Sequence, residues 1–121
     1  MHANYIKTTL SLLGFIFLFS SSAFSQEGLK AEYYDGSNFE KLVATKYVAN
    51  INQSWFDVPP VPGINPHECS IRWTGKLRPG KSGTYTFSAI VDDGIRVWID
   101  GALIMDQWDL NDLGDFKSTV E

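Results

Sequence analysis

The sequence predicts an all-β domain behind a removable leader. Three observations predict it. No apolar period of 3.6 persists beyond a turn or so, two-residue alternation recurs along the second half, and Asp-Gly and Pro-Gly breaks separate the alternating stretches.

The leader comes first. Lys7 supplies a positive flank, Leu10 to Phe19 form a predominantly apolar run, and Ala23-Phe24-Ser25 gives a small-x-small cleavage signal. Residues 1–25 are therefore expected to be a signal peptide and residues 26–121 the exported domain. The apolar run is shorter than the roughly 20 residues that cross a bilayer, and Ser20 to Ser22 close it, so insertion of the domain into a membrane is not expected. Cys69 is the only cysteine, which excludes an internal disulfide and reads as a small hydrophobe. Losing Lys7 with the leader takes the formal net charge from -4 to -5, and no basic run remains, which argues against a nucleic-acid partner.

Leu29-Lys30-Ala31-Glu32-Tyr33-Tyr34 reads as a first strand, stopped by Asp35-Gly36. Phe39 to Ala49 is ambiguous between a short helix and a strand. Val58 to Pro66, with four prolines and Gly63, is expected to be an irregular loop. The next strand places Ile71, Trp73 and Leu77 on one face and Arg72, Thr74, Lys76 and Arg78 on the other, before the break at Pro79 to Gly83. Tyr85, Phe87, Ala89 and Val91 then alternate with Thr84, Thr86 and Ser88. The pattern resumes after Asp93-Gly94 with Ile95, Val97 and Ile99, so these two runs are expected to form a hairpin. Its apolar side, Tyr85, Phe87, Val91, Ile95, Val97 and Ile99, is the expected core. Asp100-Gly101 supplies the positive φ angles of a tight primed turn, from which Ala102 to Met105 return as the next strand of a meander. Gln107 to Asp115 is loop-like. Alternation restarts at Phe116 and stops at Glu121, and from this the domain is expected to be incomplete at its C-terminus, with weak stability and weak calcium affinity as the consequence.

Four segments, in order, carry a family resemblance: Gly28-Leu29-Lys30-Ala31-Glu32-Tyr33-Tyr34, Ser70-Ile71-Arg72-Trp73-Thr74-Gly75, Gly83-Thr84-Tyr85-Thr86-Phe87, and Asp92 to Gly101. Together they resemble the PA-fourteen domain, the β module of the anthrax protective-antigen type. The resemblance implies an antiparallel β-barrel or sandwich lacking its last strands, secreted or displayed at a cell surface or in a periplasm. It further implies a non-enzymatic, glycan-binding role beside other domains of a longer glycosidase or adhesin. In the lectin branch, similar to yeast flocculins and epithelial adhesins, paired aspartates joined by a cis peptide bind calcium, and the ion holds sugar hydroxyls. Asp92 and Asp93 match those positions, with Gly94 and Trp98 as further ligand-binding candidates. A later loop completes that calcium site in the lectin branch, and this chain is expected to end before such a loop.

Residue chemistry leaves two readings of Asp92-Asp93-Gly94 standing. Adjacent carboxylates on a regular strand point to opposite faces, so clasping one ion requires a sharp bend between them; the same three residues are also ordinary turn chemistry. The second acidic cluster, Asp106, Asp109, Asp112 and Asp115 with Asn111, fails the helix-loop-helix calcium pattern, because Leu113 and Val120 occupy the fifth and twelfth places counted from Asp109. It reads as a solvated acidic loop. Catalysis has little to stand on: His67 is the only histidine after the leader, and two adjacent aspartates do not supply the separated carboxyls of a glycosidase. Of the aromatic residues, Trp98 shares a strand face with Arg96 and Asp100, opposite Ile95, Val97 and Ile99, and is the one expected to face outward. Asn52-Gln53-Ser54 matches a glycosylation acceptor, which has meaning only in a eukaryotic secretory pathway. The competing expectation is a spacer or protein-interaction module with no ligand of its own.

Overall fold

The computed structural model describes residues 28–109 and 112–121, so the leader expected over residues 1–25 lies outside it. Seven strands run in order: β1 (Leu29–Asp35), β2 (Lys41–Val48), β3 (Cys69–Thr74), β4 (Tyr85–Val91), β5 (Ile95–Ile99), β6 (Ala102–Gln107) and β7 (Gly114–Val120). Every pairing among them is antiparallel, and the described residues contain no helix. The chain divides into two units, one ending at Gly75 and one running from Lys76 to Glu121.

The first unit is a three-stranded sheet in the order β2-β1-β3. Central β1 is the best-covered strand because both of its edges are paired. Ala31 and Tyr33 point to one face, where Val61 and Ile64 complete the buried cluster, and Val43, Ala44, Trp55, Ile71 and Trp73 pack around them. The proline-rich segment is thus irregular as expected, yet it supplies two of the four residues at the centre of this core. Its prolines cannot donate to a ladder, so it crosses the sheet face instead of extending an edge. Burying Val61 and Ile64 contributes about 1.5–3 kcal/mol apiece.

The ambiguity over Phe39 to Ala49 resolves as strand β2. Its register against β1 slips between Tyr33 and Tyr34, which face Ala44 and Leu42 respectively, leaving Val43 as an extra residue. That bulge lets consecutive Val43 and Ala44 both turn toward the core while Leu42 and Thr45 stay exposed. Strand β3 ends sooner than the alternation suggests. Its last partner on β1 is Lys30, opposite Thr74, so Leu77 lies past the ladder and is exposed instead of sharing a strand face with Ile71 and Trp73.

Between β1 and β2 the chain is pinned to β3. Buried Ser70 donates its hydroxyl to the Gly36 carbonyl (2.7 Å) and accepts the Phe39 amide (2.9 Å). Phe39 is held at φ 62°, a left-handed conformation that a bulky residue rarely adopts. Its ring meets Tyr34 edge-on at 5.3 Å, and the Arg72 guanidinium covers both rings, at 4.9 Å from Phe39 and 5.4 Å from Tyr34.

The second unit holds two separate ladders, β4-β7 and β5-β6. Here the expected pairing is corrected. β4 does not form a hairpin with β5; it pairs along its full length with β7, from Tyr85 opposite Val120 to Val91 opposite Gly114. The β5-β6 hairpin is nested inside that pair. Asp92-Asp93-Gly94 is therefore the passage from one ladder to the other, with Asp93 at φ 72° turning the chain. The alternation that restarts at Phe116 belongs to β7, which begins at Gly114 and has β4 along one side.

Within each strand the expected alternation holds, while the expected depth does not. Phe87, Val91, Ile95, Val97 and Ile99 are half-buried while Thr84, Thr86 and Ser88 are exposed, as the alternation requires. Tyr85 is 38% exposed, its hydroxyl donating to the Lys81 carbonyl at 2.6 Å. None of the six reaches full burial. Among the described residues of this unit the buried hydrophobe is Met105 of β6, which the expected core omitted.

Candidate functional site

The site grows from the β5-β6 hairpin. Asp100 at φ 47° and Gly101 at φ 82° form the tight turn read from the sequence, both in the left-handed region that this primed turn demands. Ile99 then faces Ala102 and Trp98 faces Leu103. A bulge follows: Val97 faces Met105 and Arg96 faces Asp106, with Ile104 left as the extra residue. As on β2, two consecutive apolar residues, Ile104 and Met105, turn inward while their neighbours Leu103 and Asp106 stay exposed.

That slip decides the chemistry of the outer face. It sets the Arg96 Nε 2.6 Å from Asp106 Oδ1, where a regular ladder from the same turn would oppose Arg96 to Met105. The Arg96 guanidinium also lies 5.3 Å above the Trp108 ring. Arg96, Asp106, Gln107, Trp108 and Asp109 line an open recess of about 380 Å³. Two residues along β5, on the same face as Arg96, Trp98 is 54% exposed, as expected, with exposed Leu103 opposite it.

Asp92 and Asp93 are both exposed at the bend before β5. Gly94 abuts the backbone of Trp108 so closely that a Cβ would overlap the Trp108 carbonyl oxygen. The bend is thereby fixed beside the residue over which Arg96 lies. All peptide bonds of the described residues are trans, so the cis linkage that the resemblance implied between Asp92 and Asp93 is corrected to a trans bond with a left-handed Asp93. Among the described residues no group of three or more His, Cys, Asp or Glu side chains gathers in metal-binding fashion. The second acidic cluster extends past the described residues at Asn111.

The structure therefore brings Gly94, with Asp92 and Asp93 just before it, next to Trp108, Arg96 and Asp106, and sets Trp98 further along the same strand face. The Arg96–Asp106 pair is the element that sequence reasoning missed. Its one available signal is the continuous apolar run Ala102 to Met105, in which no two-residue alternation fixes the register.

In the first unit Lys30 Nζ lies 2.6 Å from Glu32 Oε1. Hydrogen bonding to Glu32 raises the Lys30 pKa above its ordinary value, and hydrogen bonding to Lys30, with the Lys30 and Arg72 charges, lowers that of Glu32. Nothing in that pair departs from a structural role on a strand.

Comparison with known proteins agrees with the fold. A structure titled anti-sigma factor domain-containing protein superposes with a TM-score of 0.74 at 34% sequence identity, covering 78% of this chain and 33% of that one. Anti-sigma-I factor RsgI3 of Acetivibrio thermocellus is 40% identical over 81 residues, 67% of this chain and 13% of the relative. Protective antigen of Bacillus anthracis is 26% identical over 85 residues, 69% of this chain and 11% of that protein. The chain thus spans about an eighth of the length of these curated relatives. The model of the PA14 domain matches residues 25–121, and the chain belongs to the PA14 domain family.

Proposed function

We propose that this chain is a non-catalytic carbohydrate-binding module that works outside the cytoplasm beside other domains of a longer protein. The observation that carries the proposal is the exposed Trp98, on the same face as the Arg96–Asp106 pair. An indole open to solvent offers an apolar plane for the C–H face of a pyranose, and the charged pair beside it offers donors and acceptors for hydroxyls. A calcium site at Asp92 and Asp93, which adds to sugar binding without being required for it, belongs to the same proposal. The left-handed Asp93 supplies the sharp bend that adjacent carboxylates need to turn toward one ion, and two carboxylates leave most of the six to eight calcium positions to water, which keeps affinity low.

A second reading, a spacer or protein-interaction module of a cell-surface protein, draws support from the lengths of the relatives, of which the matched region is 13% and 11%. A glycan array separates the two. The full chain is applied in calcium and in chelator, together with Trp98→Ala. Binding that weakens in the variant supports the carbohydrate reading; no binding by the chain or by its longer parent protein in either condition leaves the spacer.

A further inference from the structure

We propose that Arg96, Asp106 and Gln107 form a calcium-independent subsite for a pair of vicinal hydroxyls on a neutral sugar. The proposal rests on the carbohydrate-binding reading and deepens it by assigning the residues that hold the hydroxyls.

The argument begins with what the ion pair is for. An exposed Arg–Asp pair across two strands adds little to stability, so stability alone gives little reason to hold it through a bulged register. The side chains are 38% and 47% exposed, and both line the recess. The bond between them uses only Nε of the guanidinium and Oδ1 of the carboxylate. The terminal nitrogens of Arg96 make no hydrogen bond to a described residue, nor does Oδ2 of Asp106. Donors that cannot accept thus stand directly beside an acceptor that cannot donate.

A sugar hydroxyl donates one hydrogen bond and accepts others. Two hydroxyls on adjacent ring carbons therefore match this pairing, one accepting from the guanidinium and the other donating to the carboxylate. Gln107, whose amide both donates and accepts, lines the same recess and can serve either. A recognition element of fixed geometry also needs its side chains held before the ligand arrives. Arg96 is held twice, by Asp106 at Nε and by the Trp108 ring beneath its guanidinium. Trp98, on the same face two residues along, is placed to receive the next ring of an oligosaccharide. An acidic sugar is disfavoured, because Asp106 already occupies one edge of Arg96, and Asp109 adds negative charge to the recess.

The test uses the full chain and soluble neutral oligosaccharides of glucose, mannose, galactose and xylose, titrated calorimetrically in calcium and in chelator. Arg96→Met, which keeps an apolar stem over Trp108, and Gln107→Ala are compared, with near-ultraviolet circular dichroism confirming that each variant keeps its tryptophan environment. Binding is expected to persist in chelator, and Arg96→Met to weaken it about tenfold or more, the loss expected for hydrogen bonds from a charged donor. Binding abolished by chelator overturns the subsite and leaves calcium-dependent carbohydrate binding in place. Unchanged affinity in both variants overturns it as well, reducing the pair to a cross-strand contact. Failure of every sugar to bind overturns this inference, and the carbohydrate reading falls with it only when the longer parent protein also binds no glycan on the array.

Discussion

Replacing Ser70 with alanine removes one oxygen and tests how the first unit is fastened. That oxygen is buried and makes two bonds: it donates to the Gly36 carbonyl at 2.7 Å and accepts the Phe39 amide at 2.9 Å. Each neutral hydrogen bond contributes about 1 kcal/mol net, and a partner left unsatisfied near the interior costs about 1–3 kcal/mol. Both partners are only partly covered, so water can reach them in part, and a total loss of about 2–4 kcal/mol is expected. A domain of this size has only about 5–15 kcal/mol of stability. The loss should be local in origin, because the Phe39 amide sits in a left-handed residue that has a reason to relax once its acceptor is gone. The assay is urea unfolding followed by tryptophan emission, to which Trp73, three residues further along β3, contributes. A midpoint shift corresponding to less than about 0.5 kcal/mol would refute the reasoning, since it would mean that neither bond survives in solution or that water replaces both at no cost.

Two glycines predict losses of different origin. Gly94→Ala should cost about 1–3 kcal/mol, because its Cβ would overlap the Trp108 carbonyl and must push the β6 end away; Gly101→Ala meets nothing within 4 Å and should lose only about 1–2 kcal/mol of left-handed backbone preference. Gly94→Ala alone should also change the near-ultraviolet signal of Trp108, and equal spectra for the two variants would sink the distinction. The Lys30–Glu32 pair predicts a pH window. Glu32 titrates below its ordinary 4.5 in the folded chain, so its contribution is present above about that pH and fades as pH falls through the lower folded value. Lys30 titrates above its ordinary 10.5, so its contribution holds below that pH and fades as pH rises through the higher folded value. The stability difference between the native chain and Glu32→Gln should therefore be flat through neutrality and shrink at both extremes; a change centred near neutral pH would contradict it. Ile64→Ala should cost about 2–5 kcal/mol by opening a cavity against Ala31 and Tyr33, and a loss near zero in calorimetric unfolding would show that the proline-rich segment is not part of the folded core.

The Asp100-Gly101 turn and the alternation on β5 are legible in the sequence, and longer-range pairing is not. Asp100-Gly101 announces its turn because few residue pairs accept two consecutive left-handed conformations, and the outward aspect of Trp98 follows directly from alternation on β5. β2 could not be assigned because Val43 and Ala44 are both drawn inward at a bulge, which erases two-residue periodicity over the length on which it is judged. The same device on β6 hid the meeting of Arg96 with Asp106. Val61 and Ile64 were passed over as core because proline forbids a ladder but does not forbid burial. The expected hairpin of β4 with β5 failed for a different reason: Asp93-Gly94 is good turn chemistry wherever the chain bends, whether or not the flanking strands bond to each other.

The nesting of one ladder inside another has a kinetic meaning. β5 and β6 are joined by a two-residue turn and can zip on the roughly 1–10 μs scale of an isolated hairpin. β4 and β7 must bring Val91 to Gly114 across everything between them. Once the inner hairpin exists, its strands no longer count as slack chain, and only the short connections on either side remain to be ordered. The closure entropy of the outer pair falls by roughly 1 kcal/mol on the logarithmic dependence of loop cost on length. Forming β5-β6 first is the less costly order for the second unit, so the Asp100-Gly101 turn, which lies outside both outer strands, is expected to set how fast β4 finds β7.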